Sequence, residues 1–522
     1  LDQIGDVSPV ATAANIGPQA LSGSGAPSRR QLRIGDRWPF HRGAFVGKIG
    51  LDGLIDNWRW LGNDPMNSTP SLPTGPALPN APVERLINLL DPDRNLIFNM
   101  SVEEAVQRLG SGQAEQVRQI DGQFALLHRV GRQIRMARSL GRPMRYFLAK
   151  QSDGPVLIVA ERIQQIRDQL AQDGLLDQFH PSYTRMVPAH HITEISLVGC
   201  PDPNPQYQRY LVSQRDTLPA DVSAIGQAYV TALAAEIQSF LRSIPTSEPI
   251  GVMFSGGIDS GVILLLTYHL LRVDGFSPAR LKAFTLAIDG QGSDGDQARR
   301  FLRAVNLDML LEVIDVSSSD LDYRDAIQVI EDYKPLDVQA AVMTEALCRG
   351  IRQRYPQWTY LLDGDGGDEN LRDYPIEENT ELTIRSVLNN PFFYQEGWGV
   401  DRIKHSLTFS GGQSRGHVRS YAPASRWGFR GFSPFATPNV VAVAEGIPFV
   451  ELTQWQHDKL YQLKGQVSAA GIRAVTGMEL PVFPKTRFQR GAVAADTFAA
   501  IFPPNELAYR NAFHEFFQVA AR

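Results

Sequence analysis

Two short runs carry residues whose types and spacing could do chemistry. In the first, the apolar segment ending at Phe254 breaks into Ser255-Gly256-Gly257-Ile258-Asp259-Ser260 and then enters the apolar stretch from Gly261 to Leu271. Glycines at a strand-to-helix junction let backbone N–H groups approach an anion, and the start of the following helix adds roughly half a positive charge. The hydroxyls of Ser255 and Ser260 can donate to the same oxygens, and Asp259 places a carboxylate where a phosphate-bound divalent cation needs a ligand. The chemistry implied is pyrophosphate binding. The spacing is not Gly-x-x-x-x-Gly-Lys-Ser/Thr, and no lysine directly follows the glycines.

The second run is Asp363-Gly364-Asp365-Gly366-Gly367-Asp368-Glu369-Asn370, with Tyr374 close behind. Its four carboxylates within seven residues repel one another unless a cation or a cationic substrate neutralises them.

Both runs need rigid elements to aim them, and the flanking pattern supplies these. A helix is predicted over Ile225 to Leu241, followed by a strand into Ser255 and a helix from Gly261. Leu281 to Ile288 reads as a buried strand, Gln297 to Val305 as a helix, residues 310–314 as a strand, residues 322–354 as helical, and Trp358 to Leu362 as a strand running into the acidic loop. Alternation of this kind argues for an open parallel sheet with ligands at the carboxyl ends of its strands.

Upstream, residues 1–35 are rich in Ala, Gly, Ser and Pro without a period and read as an arm; Ala44 to Gly50 reads as a strand; the prolines of residues 63–82 exclude helix or central strand. Ser101-x-x-Glu104 opens a helix with a capping-box pattern. Strands are predicted at Gln123 to His128, Ile134 to Ala137 and Val156 to Ala160, with Arg138 to Phe147 carrying a turn at Gly141 and Pro143, and a linker runs from about Gln206 to Pro219.

The first run resembles the PP-loop of the ATP pyrophosphatases, which split ATP between its α and β phosphates. Together with the acidic run it is similar to the synthetase domain of the asparagine synthetase family. That resemblance implies Asp259 and Asp368 as the magnesium–pyrophosphate ligands, Asp365 beside the acyl intermediate, and Met253, Leu286 and Gly364 around the adenosine. Ser255, Gly256, Gly257 and Ser260 complete the ATP loop. Trp427 to Phe435 looks like a further family block, although Ala436-Thr437 depart from it. Leu480-Pro481-Val482-Phe483-Pro484-Lys485-Thr486-Arg487-Phe488 resembles the segment whose lysine meets the α-phosphate, so Lys485 is the implied catalytic cation, with Arg487 as the alternative.

In the other half, Asp121-Gly122-Gln123-Phe124-Ala125, the stretch Ala137 to Tyr146, the stretch Ala160 to Ile166 and Val187-Pro188-Ala189-His190-His191 resemble class II glutamine amidotransferase blocks. Those domains use an N-terminal cysteine thiolate. This chain has Leu1, which leaves room for missing residues ahead of it, and no cysteine before Cys200. The chain as given therefore implies a retained scaffold without glutaminase activity.

The expected fold class is thus α/β: an arm over residues 1–35, a degenerate glutaminase-like αββα sandwich of the Ntn-hydrolase type over 36–210, and a PP-loop synthetase domain of the adenine nucleotide alpha hydrolase type over 220–522. The expected activity is an ATP- and Mg²⁺-dependent ligase that adenylates a carboxylate and passes it to an amine, in biosynthetic tailoring like the β-lactam synthetases and lasso-peptide cyclases. Those relatives carry Tyr or His at the position of Asp365. An ammonia-dependent asparagine synthetase and a non-catalytic nucleotide-binding scaffold are the alternatives.

Composition narrows the partners. The chain has 522 residues, enough for two or three domains, with a net charge of −5 and only two cysteines, Cys200 and Cys348, without metal spacing. The pI near 6.1 gives no basic footprint for nucleic acid and weighs against a PP-loop enzyme acting on RNA. No apolar run reaches the roughly 18–20 residues of a membrane span, and no secretion signal is visible. Small-molecule or peptide substrates in the cytoplasm are expected, with no nucleic-acid or membrane partner, and the chain could form a homodimer.

Overall fold

A computed structural model describes residues 85–151, 154–197, 205–373, 383–389, 416–483 and 491–517. All of them lie in one compact unit, residues 79–522. Residues 1–35, the expected strand at 44–50, the proline-rich stretch 63–82, Cys200, Tyr374, Lys485 and Arg487 fall outside the described residues.

The first half is built from strands β1 (Arg85–Asn88), β2 (Leu96–Ile97), β3 (Gly122–Gln123), β4 (Ala125–Val130), β5 (Gln133–Arg138), β6 (Arg145–Ala149), β7 (Val156–Ala160), β8 (Arg185–Met186), β9 (His191–Ser196) and β10 (Gln206–Arg209), with helices α1 (Val102–Ser111), α2 (Ala114–Arg118) and α3 (Ile163–Gln172). Two four-stranded sheets, in orders β1-β7-β6-β8 and β10-β9-β5-β4, share a core of Met136, Tyr146, Leu157, Val159 and Ile195. Helices α1 and α2 cover the outer face of the second sheet through Leu109, Val117, Phe124 and Leu126, and α3 covers the first through Phe147, Ile158, Ile166 and Leu170. The layers therefore run helix, sheet, sheet, helix. Ser101 caps α1 by accepting from the Glu104 N–H at 3.2 Å, as its pattern predicts.

Three local expectations change. The strand expected at Gln123 to His128 is interrupted at Phe124, whose backbone instead exchanges hydrogen bonds with Ser139. The stretch Arg138 to Phe147, read only for its turn at Gly141 and Pro143, enters a strand at Arg145, because β6 is sandwiched between β7 and β8. The expected linker begins as β10, paired antiparallel with β9 from Gln206↔Glu194 to Arg209↔His191. A polar sequence carries no period-two signal on such an edge strand.

The second half contains α4 (Val222–Ser243), β11 (Ile250–Met253), α5 (Ile258–Val273), β12 (Leu281–Ile288), α6 (Asp294–Ala304), β13 (Leu311–Val316), α7 (Tyr323–Ile330), α8 (Pro335–Arg354), β14 (Tyr360–Leu362), α9 (Gly367–Leu371) and β15 (Arg430–Phe432), followed by further helices that include Pro438–Glu445 and His457–Thr476. Its five strands form one parallel sheet in the order β13-β12-β11-β14-β15. The order reverses between β11 and β14, so a crevice opens at their carboxyl ends. Apolar cores lie on both faces: Val252, Phe254 and Leu362 pack with α4 and α5 on one, and Phe284, Leu286 and Leu361 pack with α8 on the other. Cys348 is buried in the second core, as a packing residue. Among the described residues no helix is long and apolar enough to cross a membrane.

Polar contacts join the halves. The Glu331 carboxylate, in the left-handed cap after α7, accepts the Ile163 and Gln164 N–H groups at 2.7 and 2.9 Å and so caps α3. Asn439 donates to Asp121 at 3.1 Å and to Glu236 of α4 at 2.8 Å, while its carbonyl accepts from Arg118.

Candidate active site

The two chemistry-bearing runs lie at the ends of the two strands that flank the crevice. Ser255 to Gly257 follow β11, and Asp363 to Gly366 follow β14. Gly256 has φ +74°, and a Cβ there would come within 2.9 Å of the Ala298 Cα, so the loop crosses the first turns of α6 at a distance only glycine allows. The hydroxyls of Ser255 and Ser260 stand 3.3 Å apart. Gly257, the N-cap of α5, offers no side-chain cap, so no N-cap side chain competes with an anion at the start of this 16-residue helix.

The acidic loop presses against the same helix start. A Cβ on Gly364 would lie 2.8 Å from the Ser260 nitrogen, and one on Gly367 would lie 2.5 Å from Asp259 Cγ. Asp259 and Asp368 therefore converge. Lys464 marks the convergence: its ammonium donates to Asp259 Oδ2 at 2.6 Å and to Asp368 Oδ1.

The remaining carboxylates are divided by environment. Asp363 is buried, accepts from Ser433 Oγ at 2.8 Å and from the Asp365 N–H at 3.0 Å, and is held well above the usual carboxylate range by burial and by Asp365. Asp365 accepts from Ser420 Oγ, and burial pushes its carboxyl up to about 6, with Ser420 and Arg419 opposing and Glu369 and Asp368 reinforcing the rise. Ser420 belongs to a π-helical turn, His417–Tyr421, a distortion that often marks functional positions. Under the acidic loop, Asn370 donates to Tyr229 Oη at 3.1 Å and to the Phe435 carbonyl at 3.0 Å. The Phe435 Cβ lies 3.0 Å from where a Cβ on Gly366 would stand, so the block around Phe435 is the floor of this loop.

Met253 ends β11, and Leu286 lies two residues beyond its partner Phe284, so both share the α8 face of the sheet. Leu286 is buried in the core there, and Met253 packs partly buried beside it. The structure thus brings Ser255, Gly256, Gly257, Asp259, Ser260, Gly364, Asp365 and Asp368 together, while Met253 and Leu286 stand behind the loop in the sheet. A surface cavity of about 720 Å³ lies elsewhere, lined by Arg108, Arg118, Asp121 and Asn439; it lacks the loops that carry the chemistry.

The residues present fit magnesium and a nucleotide. Two carboxylates meet at one cation position beside an uncapped helix start and a hydroxyl pair, the partial ligand set that Mg²⁺ completes with phosphate oxygens and water. Among the described residues no three His, Cys, Asp or Glu side chains form a site that could hold a metal ion.

Lys464, Ser420 and Arg419 escaped the sequence reading. For Lys464 one signal existed: it interrupts the apolar stripe of Leu460, Leu463 and Val467 on its helix. Ser420 and Arg419 gave none.

Residues 238–459 match the family model described as Asparagine synthase, a stretch that holds both loops. The matched stretch is less than half of the chain. The chain is 22% identical over 215 residues to the root asparagine synthetase [glutamine-hydrolyzing] of Pisum sativum, covering 40% of this chain and 33% of that one. It is 23% identical over 227 residues to the nodule asparagine synthetase [glutamine-hydrolyzing] of the same plant, covering 42% and 35%. The matched stretch spans about a third of the length of these curated relatives.

Proposed function

We propose that this protein activates a carboxylate with ATP, releasing pyrophosphate, and joins the acyl group to an amine without glutaminase chemistry of its own. The observation that carries the reading is the convergence of the Ser255–Ser260 hydroxyl pair, the uncapped start of α5 and the Asp259–Asp368 pair at the point where strand order reverses. Together these groups bind, orient and neutralise a pyrophosphate leaving group. Magnesium bound by Asp259 and Asp368 would supply the charge that draws the leaving phosphates from the α-phosphorus. Lys485 is assigned to the α-phosphate by its sequence setting. Asp365, with its raised carboxyl, orients the amine and takes its proton.

The four-layer first half, with the blocks around Asp121, Arg138 and Glu161, supports a glutaminase-like scaffold docked on the ligase. On this reading the nitrogen comes from free ammonia, a separate amine substrate or an amine on the same molecule. A biosynthetic tailoring ligase fits that first. An ammonia-dependent asparagine synthetase is the second reading, favoured by the carboxylate at Asp365 and by the names of the relatives. The test is pyrophosphate and AMP release from Mg-ATP with aspartate and ammonium, beside a panel of other carboxylates and amines. Turnover with aspartate alone among the acids selects the second reading, and turnover only with another acid selects the first. Silence throughout, or full turnover by Asp368→Ala, overturns both.

A further inference from the structure

The acidic loop and Asp259 concentrate negative charge at the ends of β11 and β14, and a side chain answers it. Lys464 sits on the helix His457–Thr476, which packs against α4 and α5, and is 3% exposed. Its ammonium reaches three carboxylates: Asp259 at 2.6 Å, Asp368 in hydrogen-bond contact, and Asp373 at 3.6 Å. The point where Asp259 and Asp368 converge is therefore filled by a fixed cation of the protein itself.

We propose that Lys464 holds the cation position between Asp259 and Asp368 in the nucleotide-free protein, so that a divalent cation enters only together with the phosphate oxygens of the nucleotide. This rests on the pyrophosphate-site reading. A cation arriving alone meets two carboxylates that already share an ammonium, and binding there would displace that buried ammonium from its partners, which is costly. Phosphate oxygens change that balance. They accept the charge-assisted hydrogen bonds of the ammonium and free a face of each carboxylate, while Asp373 keeps the lysine tethered nearby. The same ammonium supplies the positive charge that a loop without a following lysine lacks.

The experiment titrates the full chain with Mn²⁺, followed by electron paramagnetic resonance, with and without α,β-methylene-ATP. Expected for the unaltered protein is stoichiometric Mn²⁺ uptake only when the nucleotide is present. Lys464→Met is expected to bind Mn²⁺ without nucleotide at least about tenfold more tightly, the equivalent of about one pK unit of electrostatic interaction. A second substitution, Asp368→Asn, should cancel that gain and so locate it at this pair. Equal Mn²⁺ affinity of folded Lys464→Met and the unaltered chain would overturn the proposal. So would stoichiometric uptake by the unaltered chain without nucleotide, a result that needs no variant to fold. Failure of the nucleotide analogue to bind either protein would instead refute the pyrophosphate-site reading, while the nucleotide-free titration still reads the role of Lys464.

Discussion

Gly367→Ala separates positioning from folding at this site. Gly367 opens the short helix α9 and is absent from the positive-φ positions, so alanine can adopt its backbone. The added methyl carbon would stand 2.5 Å from Asp259 Cγ. Carbon atoms in ordinary contact sit about 3.5–4.0 Å apart, so the Asp259 carboxyl must retreat by about 1 Å. It cannot do so freely, because Lys464 holds it at 2.6 Å. A misplacement of about 1 Å can cost on the order of 100-fold in rate. Stability should change far less: alanine gains about 1 kcal/mol of helix propensity over glycine, against about 1–3 kcal/mol for a local overpacking. The assay is the initial rate of pyrophosphate release at saturating Mg-ATP, read beside the thermal midpoint. Gly295→Ala is the control, since a Cβ there meets nothing within 4 Å; it should leave the rate unchanged. A folded Gly367→Ala protein with a rate within about twofold of the unaltered one, far short of the 100-fold effect, would refute the argument that this contact positions Asp259 for the reaction.

Two further outcomes follow from buried carboxyls. Asp365, raised to about 6 mainly by burial, must lose its proton to act as a base, so the amine-transfer rate should rise with pH through an inflection near 6; Asp365→Asn should remove that inflection and slow the step on the order of 10²–10⁴-fold, as a pH–rate profile at saturating amine will show. Glu236 is raised to about 7, first by burial and then by Asp121. The folded state therefore keeps a proton that the unfolded chain has released, and stability declines as pH rises from about 4.5 to about 7. Glu236→Gln should abolish this decline, which amounts to about 3 kcal/mol at about 1.4 kcal/mol per pK unit, measured by urea unfolding at pH 5 and 8; identical slopes in both proteins would contradict it.

How much of this was legible beforehand differs from element to element. The strand Leu281–Ile288 was read to its ends because its apolar run is bounded by turn residues on both sides. The strand-to-helix turn at Ser255 to Ser260 was equally plain, since the apolar run before it and the apolar helix after it are adjacent in sequence. The edge strand β10 and the strand β6 were not read, because pairing with neighbours, rather than their own pattern, makes them strands.

The sequence by itself determined the local structure: a strand-to-helix turn at Ser255 to Ser260, an acidic loop at Asp363 to Glu369, and most of the helices and strands that carry them. Only the tertiary structure decided that these loops face one another. The strand order β13-β12-β11-β14-β15 sets β14 beside β11 although more than a hundred residues separate them in the chain. The cation that meets Asp368 of the acidic loop was also decided there. The sequence demands a positive charge for those carboxylates but cannot say from where, and packing of a distant helix on α4 and α5 delivers Lys464 to Asp259 and Asp368. Coulomb attraction depends on distance in space, and chain separation sets no limit on it.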